Sequence, residues 1–266
     1  MSETTKMYNN SVTLHFNEHA RNRYTIEETK QSPVGVTSVL SAVLNKPALM
    51  LWPLNEAVKK LTPEIGQPLT EELLETAKKA YLVKGDKGKD TGTLIHAAVE
   101  AYLKGEPMDI TPEIEKPLEA FGAWFDSVDP KVLSVEKVCY SRKYNYAGKF
   151  DAILEIDGQI VMVDWKSSNS SRTAPKGVYL ENFMQLGAYN LAYREEKATR
   201  LKPGIDFSKQ YPTDLMVVRI GKDGVLNTLK ASELNLTVKD CEDKFLEVLS
   251  LYRFITPNVK KISELK

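Results

Sequence analysis

The chain has 266 residues, 42% hydrophobic and 27% charged, a composition that excludes a fibrous or intrinsically disordered protein. Its 36 basic and 36 acidic residues cancel, so no global positive field draws in a polyanion and any phosphate binding has to be local. Two cysteines, Cys139 and Cys241, lack C-x-x-C spacing, which excludes zinc ribbons and cysteine-ligated iron–sulfur clusters; no run reaches the roughly 18 apolar residues of a membrane span and the N-terminus has no apolar core, so the expectation is a cytoplasmic protein with no membrane partner.

In chain order, residues 1–35 read as polar and irregular, with a short strand over Tyr24–Ile26 and a turn at Ser32–Gly35. Thr37 or Ser38 can cap a helix to Leu44, and Ala48–Leu61 carries helical spacing after Pro47. Thr70 starts another helix, with Glu71 and Glu72 favourably placed in its first turn. The segment Lys84-Gly85-Asp86-Lys87-Gly88-Lys89-Asp90 reads as a glycine-broken loop ending at Thr91, an N-cap for a helix over Gly92–Leu103.

From Val135 the period becomes that of strands, over Val135–Arg142, Ala147–Ile156 and Ile160–Ser167. Val178–Glu196 is again helical. Leu215–Ile220 and Val225–Lys230 form a second hairpin, and Val238–Phe254 closes the chain as an amphipathic helix. This order predicts an α/β fold, a mixed central β-sheet flanked by helices.

Asp157-Gly158 joins two apolar-rich runs, and the central residues of a type I′ turn both need positive φ, which Asp-Gly tolerates. With those two as the loop, Ile156 faces Gln159 and, five steps on, Asp151 faces Asp164, with Cβ atoms about 5 Å apart. Strand alternation puts Lys166 on the face of Asp164 and Asp151, and Trp165 on the other with Phe150, Val163 and Ala152. Two carboxylates so placed in a covered sheet call for a cation. Their hard oxygens suit Mg²⁺ or Mn²⁺, and an ammonium beside them fits phosphodiester hydrolysis.

Four segments occur in order: Gly92-Thr93-Leu94-Ile95-His96, Gly148-Lys149-Phe150-Asp151, Val163-Asp164-Trp165-Lys166 and Gln185-Leu186-Gly187-Ala188-Tyr189. Together they resemble the RecB-like branch of the PD-(D/E)XK nuclease superfamily, with its G-x-x-x-H helix, G-x-x-D and D-x-K strands and Q-x-x-x-Y helix. The resemblance implies that Asp151 and Asp164 ligate the metal with the main-chain carbonyl of Trp165, and that Lys166 is the catalytic lysine. It further implies His96 as another ligand or an ordering group, Gln185 steadying the lysine or the scissile phosphate, and Tyr189 contacting nucleic acid. Taken alone, His96 and Tyr189 sit on helix faces where core residues are common; Glu136 is a weaker candidate for an outer-sphere role, and Glu100 reads as solvated.

Gly35–Leu40 and Lys46–Trp52 also resemble the leading region of phage-encoded members, a helical cover over the core. The expected organisation is therefore an irregular and helical cover over 1–90 and a nuclease core over 91–266 in one compact unit. The implied activity is a DNA exonuclease acting on single-stranded ends, with Lys84, Lys87, Lys89 and Arg172 attracting phosphates. An endonuclease and a non-catalytic nucleic-acid-binding protein on the same fold are the alternatives. No iron–sulfur cluster is expected, and the residues assign no recombination or replication partner.

Overall fold

A computed structural model describes residues 2–20, 22–44, 47–168, 178–200 and 210–264, with backbone only at 47–50, 84–90, 260 and 262–264. Strands β1 (Ser2–Met7), β2 (Val12–Asn17) and β3 (Tyr24–Ile26) form an antiparallel sheet, followed by β4 (Val34–Gly35), α1 (Val36–Val43) and α2 (Pro47–Leu61). Next come α3 (Glu71–Lys104), α4 (Glu115–Val128), β5 (Lys131–Ser141), β6 (Tyr146–Ile156) and β7 (Gln159–Ser168). Helix α5 (Leu180–Ala198), strands β8 (Asp214–Gly221) and β9 (Leu226–Lys230), and α6 (Val238–Glu264) complete the described chain.

The central sheet is mixed, in the order β4-β6-β7-β8-β9 with β5 on β6. Asp157 and Gly158 take φ of 50° and 75°, and the register from Ile156↔Gln159 to Ala152↔Val163 is the one the turn chemistry predicts. Strand β4 runs parallel to β6 at Tyr146 and Ala147, where β5 already occupies the other edge of β6. One edge of β6 is thus shared: β4 pairs with its start, β7 with its end. Between those two ladders Gly148–Asp151 has no strand beside it on that edge among the described residues.

Helices α1, α5 and α6 cover one face around Phe150, Met162, Leu215 and Val217. Helices α3 and α4 cover the other, packing Ile95, Val99 and Phe121 against Ala152, Val163, Trp165 and Val218. Phe150 and Ala152 therefore lie in different layers although two residues apart, so the alternation expected of a regular strand breaks at Asp151. Phe150 does not share a face with Trp165, and Asp151 is not held to the face of Asp164 and Lys166 by pleating alone.

Other expectations need correction as well. Residues 1–35 are not irregular: Val12, Leu14 and Phe16 alternate inward and pack over Val138, Tyr140 and Ala147. The turn at Ser32–Gly35 ends in β4. Lys84–Asp90 is not a loop but lies inside α3, so Thr91 is a mid-helix residue rather than an N-cap and the boundary at 90/91 falls within one helix. Its two glycines cost about 1 kcal/mol each, and the helix is pinned on both sides, by Trp52 against Tyr81 at 5.9 Å and by Ile95 and Val99 in the core. Helix α4 was not anticipated; Pro117 sits in its first turn, where a missing N–H is harmless. Among the described residues no helix is long and apolar enough to cross a membrane.

Candidate active site

The bare stretch of β6 is the G-x-x-D segment, and each motif glycine marks a close approach. A β-carbon on Gly148 would stand 2.1 Å from the Tyr189 ring, and one on Gly92 would stand 2.7 Å from Ser167 Oγ. Only glycine lets α5 and α3 close on the sheet there. Because Gly92 and His96 are one turn apart, the same approach carries His96 to the gap: its Nδ1 lies 3.9 Å from Asp151 Oδ2.

Asp151 Oδ2 accepts a hydrogen bond from the Trp165 main-chain N–H at 2.7 Å, in the region where the β6–β7 ladder has already stopped. The carboxylate takes the place of a backbone partner and reaches across the space between the strands. Burial, then the neighbouring Asp164 charge, holds the Asp151 carboxyl well above the ordinary carboxylate range. Burial also lowers the His96 imidazole, with Lys166 acting in the same sense against the opposing pull of Asp164 and of the Trp165 main chain. A neutral imidazole is the form that ligates metals.

On the α5 side, Lys166 Nζ straddles both Asp164 oxygens at 2.9 and 2.7 Å. Burial alone would depress this ammonium, but the charges of Asp164 and Asp151 outweigh it and hold Lys166 above its ordinary value. Lys166 is therefore a cation in this state. Gln185 Nε2 donates to Asp164 Oδ1 at 3.0 Å and to the Tyr189 hydroxyl at 3.1 Å. Tyr189 is only 3% exposed, so its ring is not offered to a strand; its hydroxyl holds Gln185, and Gln185 in turn holds the lysine's partner. The Trp165 ring is buried against Phe121 and Trp124 at 5.3 and 6.2 Å, which anchors the main chain between Asp164 and Lys166.

Ligand atoms of His96, Glu136 and Asp151 all lie within 4.8 Å of one another. One imidazole nitrogen with carboxylate oxygens is a donor set that fits Mg²⁺ or Mn²⁺, so the residues present suit the divalent ion that a nuclease of this kind uses. Sequence reasoning left Glu136 at the margin, although counting back from the β5–β6 hairpin puts it opposite Asp151. It also missed Arg219, fully buried on β8 at the rung of Lys166 and donating to Ser168 Oγ at 2.9 Å; a charge inside the apolar run Leu215–Ile220 was the available signal. Arg172 and the side chains of Lys84, Lys87 and Lys89 lie outside the described residues. A cavity lined by Glu155, Gln159, Tyr211 and Thr213 is at the turn end of the β6–β7 hairpin and contains none of these groups.

No curated protein matches the sequence. Among solved structures the chain is similar to one titled crystal structure of SSO0001, at 12% identity over 74% of this chain and 85% of that one, with a TM-score of 0.31. It is also similar to LHK-Exo, an alkaline exonuclease from Laribacter hongkongensis, at 10% identity over 86% and 94% of the two chains and a TM-score of 0.28. The same exonuclease in complex with dAMP gives a TM-score of 0.27 with the same identity and coverage. A family model described as the PD-(D/E)XK nuclease superfamily matches residues 112–252, more than half of the chain and all of Glu136, Asp151, Asp164, Lys166 and Gln185. The chain belongs to the PD-(D/E)XK nuclease superfamily.

Proposed function

We propose that this protein is a divalent-metal-dependent DNA exonuclease of the RecB-like branch that hydrolyses phosphodiester bonds from single-stranded ends. The observation that carries the reading is the Lys166–Asp164–Gln185 network set against Asp151 and His96 across the gap beside β6. Each group has a role that phosphodiester hydrolysis requires.

His96, Asp151, Asp164 and the Trp165 carbonyl would hold the metal, whose chemistry when bound is to polarise the phosphate and acidify a water. Lys166, kept cationic by its two aspartates, donates to an attacking water or a phosphate oxygen and offsets the negative charge that develops in the transition state. Gln185, fixed by Tyr189, keeps Asp164 and so Lys166 in place. The buried surroundings of Asp151 and Asp164 strengthen these interactions by excluding water.

Helices α2 and α3 would serve as the cover under which a strand enters. They expose Leu51, Leu54, Val58 and Val83, apolar surface that suits unstacked bases. Lys84, Lys87 and Lys89, ahead of His96 on α3, together with Arg172, would supply local phosphate attraction. Charge reversal of the three lysines should weaken single-strand binding and flatten its salt dependence.

The test is digestion of end-labelled linear and closed circular single strands with Mg²⁺, Mn²⁺ or chelator, beside an Asp164→Ala control. Exonuclease action requires degradation of the linear strand alone, lost in chelator and in the variant. Cleavage of the circle would make the enzyme an endonuclease, and binding of single strands without cleavage under any metal would refute catalysis.

A further inference from the structure

We propose that Glu136 is a direct ligand to the divalent ion, and that Lys149 is its resident competitor, holding the Glu136 carboxylate in the metal-free chain and yielding it when the ion arrives. The inference rests on the metal-dependent reading above and adds a residue that the D-x-K and G-x-x-D motifs do not contain.

Geometry brings Glu136 to the site. On the β5–β6 ladder the pairs Val135↔Ala152 and Lys137↔Phe150 flank it, so Glu136 faces Asp151 across one rung. Its own φ of 47° is a left-handed conformation that a glutamate in mid-strand rarely adopts. That departure coincides with the break in alternation at Asp151, and the two irregularities together put Glu136 and Asp151 beside His96, with ligand atoms of all three inside 4.8 Å.

Charge balance supports the assignment. Asp164, a ligand in the reading above, has its charge balanced by Lys166, which donates to Oδ1 and lies 2.7 Å from Oδ2. The groups facing His96 are then Asp151 and Glu136, two carboxylates against one divalent ion, provided that Lys149 is not also counted. Lys149 Nζ is at 2.7 Å from Glu136 Oε2, which neutralises that carboxylate while no ion is bound. Both side chains are partly buried, at 23% and 14% exposed, so the lysine cannot be ignored as a solvated bystander. Glu100 and Lys104, paired with each other on α3, are the other charged groups close to Glu136.

The two halves of this ion pair should therefore move metal affinity in opposite directions. Titration of Mn²⁺ into the full chain, followed calorimetrically, should show Glu136→Gln binding about tenfold or more weakly than wild type. Lys149→Met should bind more tightly, because the competitor is gone. A purely structural ion pair would shift both variants the same way or neither, and that result overturns the proposal. Melting curves identify a variant that fails to fold; should Glu136→Gln do so, Lys149→Met decides alone, with tightening in support and an unchanged or weaker affinity against. Asp151→Asn separates the two readings: loss of binding there with wild-type affinity in Glu136→Gln removes Glu136 only, whereas undiminished binding in Asp151→Asn removes the metal site itself.

Discussion

The two sides of the gap beside β6 are built differently. On the α5 side Lys166, Asp164, Gln185 and Tyr189 are joined by hydrogen bonds of 2.9 to 3.1 Å, and the carboxylate has its own cation. On the α3 side, His96 stands 3.9 Å from Asp151, and Asp151 feels both burial and the Asp164 charge without a cation of its own. One side carries its own counter-charge as folded; on the proposed reading, the other is completed by what it binds. The difference teaches that a lysine and its carboxylate can be prearranged by the fold, whereas the proposed metal cradle would retain an electrostatic cost until an ion relieves it.

The sharpest way to break this comparison is at Lys166. Lys166→Met should lower cleavage by about 10²–10³-fold or more while calorimetry still detects Mn²⁺; equal loss of metal binding would mean that the two sides are one unit. Next, Gly148→Ala forces a methyl into the Tyr189 ring and should destabilise the fold by about 1–3 kcal/mol, read as a lower melting temperature. Trimming the ring with Tyr189→Leu in the same chain should recover part of it; no recovery would separate the glycine from the tyrosine.

Gln185→Ala should then cost about 10–100-fold in rate, the usual effect of losing a group that orients another, with little change in melting temperature. A wild-type rate would leave Lys166 needing no such support. The smallest effect is expected of Asp151→Asn in the metal-free chain, which should stabilise it by about 0.5–2 kcal/mol. The sign follows from linkage: because the folded carboxyl sits above its ordinary 3.8, its contribution to stability is complete below that value and is lost as pH rises through the elevated one. The variant should flatten that decline in chelator; a variant less stable than wild type at neutral pH would refute an uncompensated charge.

Much of this is legible in the sequence. The positive φ that Asp157-Gly158 accepts set the β6–β7 register, and four short motifs identified the groups that converge on the gap. What stayed hidden depends on contacts between distant segments. Nothing local announces that Glu136 takes a left-handed conformation or that alternation slips between Phe150 and Ala152, since either follows from how β4, β5 and β7 share β6. Helix α3 overrides Gly85 and Gly88 because tertiary packing grips it on both sides of them. Tyr189 has an ordinary helical setting in sequence, and only the approach of Gly148 makes it a buried strut.

Strand β4 has a consequence beyond the sheet. A two-residue piece from near position 35 borders the same opening as strands more than a hundred residues later, and the imidazole comes from a helix between them. All the site side chains lie between His96 and Tyr189, yet the start of the strand beside them is closed by this far earlier piece. A fragment that lacks residues 1–35 should therefore keep every motif residue and lose the edge that borders their opening.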